Sequence, residues 1–555
     1  MNNQIQVYCE NTATMLAAHG GETLLELAAR MEPPLPFRPI CARVNNKNES
    51  LGFALYAPKT VEYLPATSES GERTYIRSLC MMLYKAVDSC FPGTTLLIEH
   101  SMCGGYYCRL PEVEVTQQTV ATLEEYMKGL RDSDLPIEEM MERTERVEQL
   151  YDSQGLHDKV RLMRTRHKLY TTYCRLDGIA DSYYGAMAPS TGFITSFALH
   201  RYKEGFLLMG FDHNDPSRAA LPVRQEKMYS AFTDYLTFNR IVGVNNVGEL
   251  NEVVEHGNSP MLINVCEALH DRRIGAIADR ITESYRRGGA RVVLIAGPSS
   301  SGKTTFTKRL AIHLTTNLLE PRMISLDDYF VDRERTPRDA SGEYDYESLH
   351  ALDIATFNND LQRLLRGEEA ELPYYNFATG GREYRGNRIR LNDRSILLIE
   401  GIHGLNPDLT PLIPAEMKYR VYVSALTTIS IDDHNRVPTT DNRLLRRIIR
   451  DAKYRGSTAT ATIRRWPSVR RGEEKWIFPF QENADSMFNS ALLFELAVLK
   501  NRGEELLRNV YHDTPEYAEA QRLRSFLNHF ESISEEFVPS TSILREFLGG
   551  SSFKY

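Results

Sequence analysis

The stretch VVLIAGPSSSGKTTFTKRL, residues 292–310, decides the fold. Five apolar residues run into a loop of glycine, proline and serine, and a helical pattern opens at Lys303. Gly297, Gly302, Lys303 and Thr304 meet GxxxxGK[ST] at every fixed position, in the strand–loop–helix setting the motif needs. Backbone N–H groups of such a turn and of the helix start point into one concavity and bind anionic oxygens. Gly297 and Gly302 permit backbone angles and a close approach that a Cβ would block. Gly297, Pro298, Ser299, Ser300, Ser301, Gly302, Lys303, Thr304 and Thr305 are therefore the expected cradle for ATP. Lys303 reaches the outer phosphates and Thr304 offers its hydroxyl to Mg2+.

Working outward, apolar strands alternate with helices over residues 289–485, which predicts an α/β domain on a parallel sheet. MISLDDYF, residues 323–330, is a short strand ending in two aspartates. A carboxylate at the C-terminal edge of such a strand stands beside the phosphate loop. Asp327 can there accept the proton of an attacking hydroxyl or touch the metal. SILLIEG, residues 395–401, is a second buried strand, closed by Glu400, an acid placed for Mg2+. The guanine-reading NKxD of GTPases and the tandem signatures of AAA motors are missing, which leaves a small-molecule kinase as the better class.

The ordered run GPSSSGKTT, SLDDYF, YDYESLHALD, LPYYNFATGGR, LLIEGIHGL and DNRLLRRIIRD resembles the uridine kinase and phosphoribulokinase family of P-loop kinases. The resemblance implies that Asp327 is the catalytic base and that Thr304 and Glu400 form the magnesium side. It implies that Asp345 grips sugar hydroxyls and that Tyr375 lines a nucleoside pocket. Spacing of three and four places Arg443, Arg446 and Arg450 along one helix face, where guanidinium groups can clamp phosphates and, at Arg446, offset transition-state charge. A mobile lid would follow, with Arg455, Arg464 and Arg465. One departure concerns specificity. Gly380 stands where uridine kinases carry a base-reading histidine, so the identity of the acceptor is open.

The chain has 555 residues and a net charge of −8, with 42% apolar and 25% charged residues. These values suit a soluble multidomain protein and argue against a general nucleic-acid coat. No run is apolar enough to span a membrane, the N-terminus lacks a signal-peptide pattern, and the eight cysteines read as reduced thiols, so a cytoplasmic protein is expected.

Residues 1–65 resemble a TGS domain, and residues 66–235 resemble the editing domain of threonyl-tRNA synthetase. That domain's HxxxH and Cys-x-x-x-His positions fall on Ser78, Met82, Tyr183 and Met187, which removes its hydrolytic chemistry. Residues 236–288 read as a helical connector and 486–555 as a helical tail. IEEMMERTERVEQLYDSQGLHDKVRLMRTRHKLY, residues 137–170, reads as one or two solvated helices. Two functions follow as expectations: an ATP-dependent kinase of a nucleoside or similar hydroxyl compound, or a nucleotide-binding regulatory protein whose front half meets tRNA or the ribosome. RNA is the candidate partner of the front half, and self-association is open.

Overall fold

A computed structural model describes residues 4–339 and 342–554. The site rests on five strands, β1 (Val292–Ala296), β2 (Glu320–Ser325), β3 (Ser395–Glu400), β4 (Lys418–Ser424) and β5 (Ser486–Asn489). They are ordered β2-β3-β1-β4-β5, and every pairing is parallel. The apolar runs of β1 and β3 follow from burial on both faces. Val292 and Leu294 pack with Phe330, Phe357 and Tyr375, while Val293 and Ile295 pack with Phe306, Leu310 and the long helix Ser259–Arg286. This period of two makes β1 the centre of two cores at once.

Helix α1 (Lys303–Thr316) leaves the phosphate loop directly, and α2 (Thr439–Arg455) and α3 (Ala459–Trp476) cross beside it. The parallel sheet runs past residue 485. Ser486–Asn489 pairs with β4 from Val421↔Ser486 to Ser424↔Asn489. Four residues reading SMFN carry too little pattern to stand out from a helical tail, and pairing with a preformed neighbour makes them a strand. The tail then forms helices Glu495–Arg508 and Tyr517–Leu527 and ends in the short helix α4 (Arg545–Leu548).

Residues 4–65 form a five-stranded sheet with the helix Leu24–Met31. Thr23 and Glu26 cap that helix reciprocally, each satisfying a backbone N–H of the other. The 22-residue helix Glu69–Cys90 follows, with a four-stranded and a three-stranded sheet. EEMMER, expected to be helical, is instead the strand Glu138–Arg143, paired with Tyr170–Leu176 from Glu138↔Arg175 to Arg143↔Tyr170. Helix begins only at Thr144. The connector also starts early, because residue 236 lies inside the helix Glu226–Val242.

Ser78, Met82, Tyr183 and Met187 are all buried, and the Ala188 N–H donates to Ser78 Oγ at 2.8 Å. The two segments that carry these positions thus meet, but in a packed core. Among the described residues no helix is long and apolar enough to cross a membrane.

The hairpin Ser430–Arg436 ties the front half to the parallel-sheet domain. Lys159 Nζ lies 2.8 Å from both Asp181 Oδ1 and Asp432 Oδ1, and all three side chains are at most 1% exposed. His434 Nδ1 lies 2.7 Å from Asp181 Oδ2, and Tyr184 donates its hydroxyl to Asp432.

Candidate active site

The loop between β1 and α1 has the backbone its sequence demands. Ser300 and Gly302 adopt left-handed angles, φ 58° and 82°. A Cβ on Gly297 would stand 2.0 Å from the Val423 carbonyl oxygen of β4, so only glycine fits. Among the described residues the hydroxyls of Ser300 and Ser301 are buried without a partner, which suits a site built for phosphate oxygens. Lys303 donates to the Pro298 carbonyl at 3.2 Å. Burial lowers the pKa of its ammonium group, and the charges of Glu400, Asp327, Glu546 and Glu347 oppose that shift.

Strand register places the acids. Ser325 pairs with Glu400, and Glu400 pairs with Ile295, so both strand ends stand level with the start of the loop. Thr304 Oγ1 donates to Glu400 Oε1 at 3.0 Å. Burial pushes the Glu400 carboxyl up to about 7, against the pull of Lys303. Asp327 sits in the turn Leu326–Tyr329 that follows β2. It opens to the cleft, yet the surrounding protein withdraws enough water to raise its carboxyl pKa, while Lys303, Arg455 and Arg450 pull it down. The oxygens of Thr304, Glu400 and Asp327 are hard donors that suit Mg2+ sharing its shell with phosphate and water. Among the described residues no three His, Cys, Asp or Glu side chains form a self-contained metal cluster.

The arginine face of α2 turns inward. Arg443 Nε donates to the Ser299 carbonyl at 2.9 Å, Arg446 Nη1 to the Ser300 carbonyl at 3.3 Å, and Arg447 Nη1 to Ser299 Oγ at 2.7 Å. Arg443 and Arg446 are 1% and 0% exposed. Arg443 also pairs with Glu473, and Arg446 grips Glu495 with contacts of 2.9 and 2.6 Å. Their guanidinium groups shape the loop from behind; neither has a free face for a moving phosphoryl group. Arg450, one turn on, is partly exposed and pairs with Asp451 at 2.9 Å.

On the acceptor side, Asp345 accepts the Glu347 N–H at 3.2 Å. Glu347, two residues further along the same YDYE run, is the carboxylate that acts on Lys303 and Asp327, and burial together with Glu473 pushes it up to about 7. In the sequence Glu347 shows only as a second acid of that motif.

Tyr375 is 2% exposed, packs against Phe330 and Phe377 with ring centroids 5.5 and 5.0 Å apart, and has a buried hydroxyl without a partner among the described residues. Its N–H donates to Asp328 Oδ1 at 3.3 Å, which ties the aromatic wall to the turn bearing Asp327. A Cβ on Gly380 would lie 2.8 Å from Arg333 Nε. The space a side chain at 380 would need therefore holds a guanidinium group, anchored by Arg333 Nη2 on the Phe377 carbonyl at 2.7 Å.

A five-stranded parallel sheet with this loop is consistent with a P-loop kinase domain. Residues 292–493 match the model of the Phosphoribulokinase / Uridine kinase family. A uridine kinase of Staphylococcus aureus (strain JH9) is 27% identical over 195 residues, which span 35% of this chain and 84% of the relative. Among solved structures, one described as a "Possible Uridine Kinase from Bacillus stearothermophilus" aligns with 39% of this chain and 100% of its own, at 21% identity and a TM-score of 0.25. A D-glycerate 3-kinase from Cryptococcus neoformans var. grubii aligns with 46% of this chain and 87% of its own, at 13% identity and a TM-score of 0.23.

Proposed function

We propose that the chain is an ATP-dependent phosphotransferase that phosphorylates a hydroxyl of a small molecule, a nucleoside of the uridine or cytidine kind. The observation that carries this reading is the grouping of Asp327, in the turn after β2, with Lys303, Thr304 and Glu400 at the C-terminal edge of the sheet. In the reaction Asp327 takes the proton of the acceptor hydroxyl. A bond forms between that oxygen and the γ-phosphorus, the bond to the β–γ bridging oxygen breaks, and ADP leaves. Lys303 and the loop amides hold the phosphate charge. Mg2+ at Thr304 and Glu400 supplies further charge neutralisation when bound.

Asp345 and Tyr375 form the acceptor side in this reading, with Arg450 facing the phosphates. The Tyr375 hydroxyl is a buried group that a substrate can satisfy, and rejection of a wrong substrate then rests on leaving it unpaired. The front half serves as a docking module, since its editing-like positions are packed side chains.

The test is a panel of nucleosides, sugars and polyols incubated with ATP, Mg2+ and the full chain, read by product mass. Gain of one phosphoryl group by a nucleoside is expected. If the protein binds ATP and no acceptor gains a phosphoryl group, the kinase reading fails. A salt-sensitive tRNA shift under those conditions favours the regulatory alternative.

A further inference from the structure

One donor pair at the start of α1 is already taken. The Thr305 N–H and the Thr305 hydroxyl both donate to Glu546 Oε2, at 3.2 and 2.7 Å. Glu546 belongs to α4, some 240 residues downstream and outside the span that matches the family model.

Helix α4 is firmly seated. Ile543, Leu544, Phe547 and Leu548 are at most 1% exposed. Ile543 lies over Gly302, where a Cβ would come within 2.6 Å of its Cγ2. Arg446 stands 5.0 Å from the Phe547 ring, and Lys453 Nζ donates to the Leu548 carbonyl at 2.6 Å. The backbone of α4 is thus part of the core, whereas Glu546 is only half-buried, with its charge acting on Lys303.

A carboxylate oxygen on the first amides of a helix occupies the position of an anionic ligand. In a loop of this type those amides cradle the α- and β-phosphates. We propose that Glu546 is an affinity-determining residue of the nucleotide site, contributed by the C-terminal segment. Without nucleotide, its carboxylate holds the Thr305 donors. When a nucleotide binds, its phosphate takes those donors and the Glu546 side chain turns away while α4 stays in place. Two anions cannot share one amide, so each binding event includes the loss of the internal contact. This inference rests on the reading that residues 297–305 hold a nucleotide.

The experiment titrates ADP into the full-length wild type, Glu546→Gln and Glu546→Ala by calorimetry, with thermal unfolding of each protein with and without ADP. Losing the charge of the competing acceptor should lower the Kd for ADP roughly five- to tenfold in both variants. The variants should melt slightly lower than wild type without ligand and gain more from ADP. A purely structural role predicts a lower melting temperature with an unchanged or raised Kd, and that result overturns the proposal. If neither wild type nor variant binds ADP, the nucleotide reading itself falls; if wild type binds and the variants bind no more tightly, only the role of Glu546 falls.

Discussion

Asp327→Asn separates chemistry from binding. The exchange is nearly isosteric, and among the described residues the Asp327 carboxylate accepts no protein hydrogen bond; only its backbone is engaged, the N–H donating to Ser325 Oγ and the carbonyl accepting the Phe330 N–H. Water withdrawn by the surrounding protein raises its carboxyl pKa even though the side chain opens to the cleft, so the charged form is disfavoured there and a neutral amide costs the fold little. The amide also removes one negative charge beside Lys303, where phosphates arrive, so affinity for ATP should hold or rise. The amide cannot take a proton. General-base catalysis is worth about a hundred- to ten-thousandfold, or about 3–5 kcal/mol of barrier. The expected result is therefore a kcat lowered by at least about a hundredfold, with an unchanged or lower KM for ATP and loss of the acid limb of the pH–kcat profile. Steady-state assays of ADP release over a pH series, with calorimetric ATP binding, measure all three. A variant within about threefold of wild-type kcat would refute the base, because an effect that small is far below what a lost proton acceptor costs. Loss of ATP binding in parallel with activity would make Asp327 a structural residue.

Glu347 and Glu400, both pushed up to about 7 by burial, bind more protons in the folded than in the unfolded state between about pH 4.5 and 7. Stability of the ligand-free protein should consequently fall as pH rises through that window, and the Glu347→Gln/Glu400→Gln double variant should flatten the slope in melts from about pH 5 to about pH 8. Lys159→Met strands Asp181 and Asp432 in the buried junction and should cost about 3–5 kcal/mol in chemical denaturation; a loss below about 1 kcal/mol would show that the junction is hydrated. Tyr375→Phe removes a buried, unpartnered hydroxyl, so it should leave the apo protein as stable or more stable by about 1 kcal/mol while raising the acceptor KM about tenfold. An unchanged KM would take the hydroxyl out of substrate recognition.

The phosphate loop and the acids at the ends of β2 and β3 were legible because their signals are local. A parallel strand buried on both faces shows as an unbroken apolar run, and the turn after it needs glycine at fixed places. The arginines of α2 were legible only in part. Spacing established that Arg443, Arg446 and Arg450 share a face, but the direction of that face depends on Glu473, Glu495 and the loop carbonyls, all distant in sequence. EEMMER illustrates the same limit: its residues favour helix, and pairing with Tyr170–Leu176 overrides them. Glu546 had no local signal at all, since a single acid in the tail gains meaning only when the chain folds back on Thr305.

The front half touches the site through a continuous set of contacts. Lys159 holds Asp432 in the hairpin Ser430–Arg436, whose chain runs on through Val437, fully buried, and Pro438 into α2. Five residues into α2, Arg443 reaches the Ser299 carbonyl, and one turn later Arg446 reaches that of Ser300. Arg522, from the tail, braces the start of α2 through Asp441 with contacts of 2.6 and 2.8 Å, and its neighbour Glu519 pairs with Arg73 of the front half at 2.8 Å. The helix that backs the phosphate loop is therefore clamped at its N-terminal end from the front half, once by the buried junction and once through the tail. Cutting the chain to the parallel-sheet domain would expose Asp432 without Lys159 and leave α2 held on one side only. The geometry of the loop thus depends on residues far outside the span that carries its sequence motif, which gives the fused architecture a physical reason independent of any ligand the front half binds.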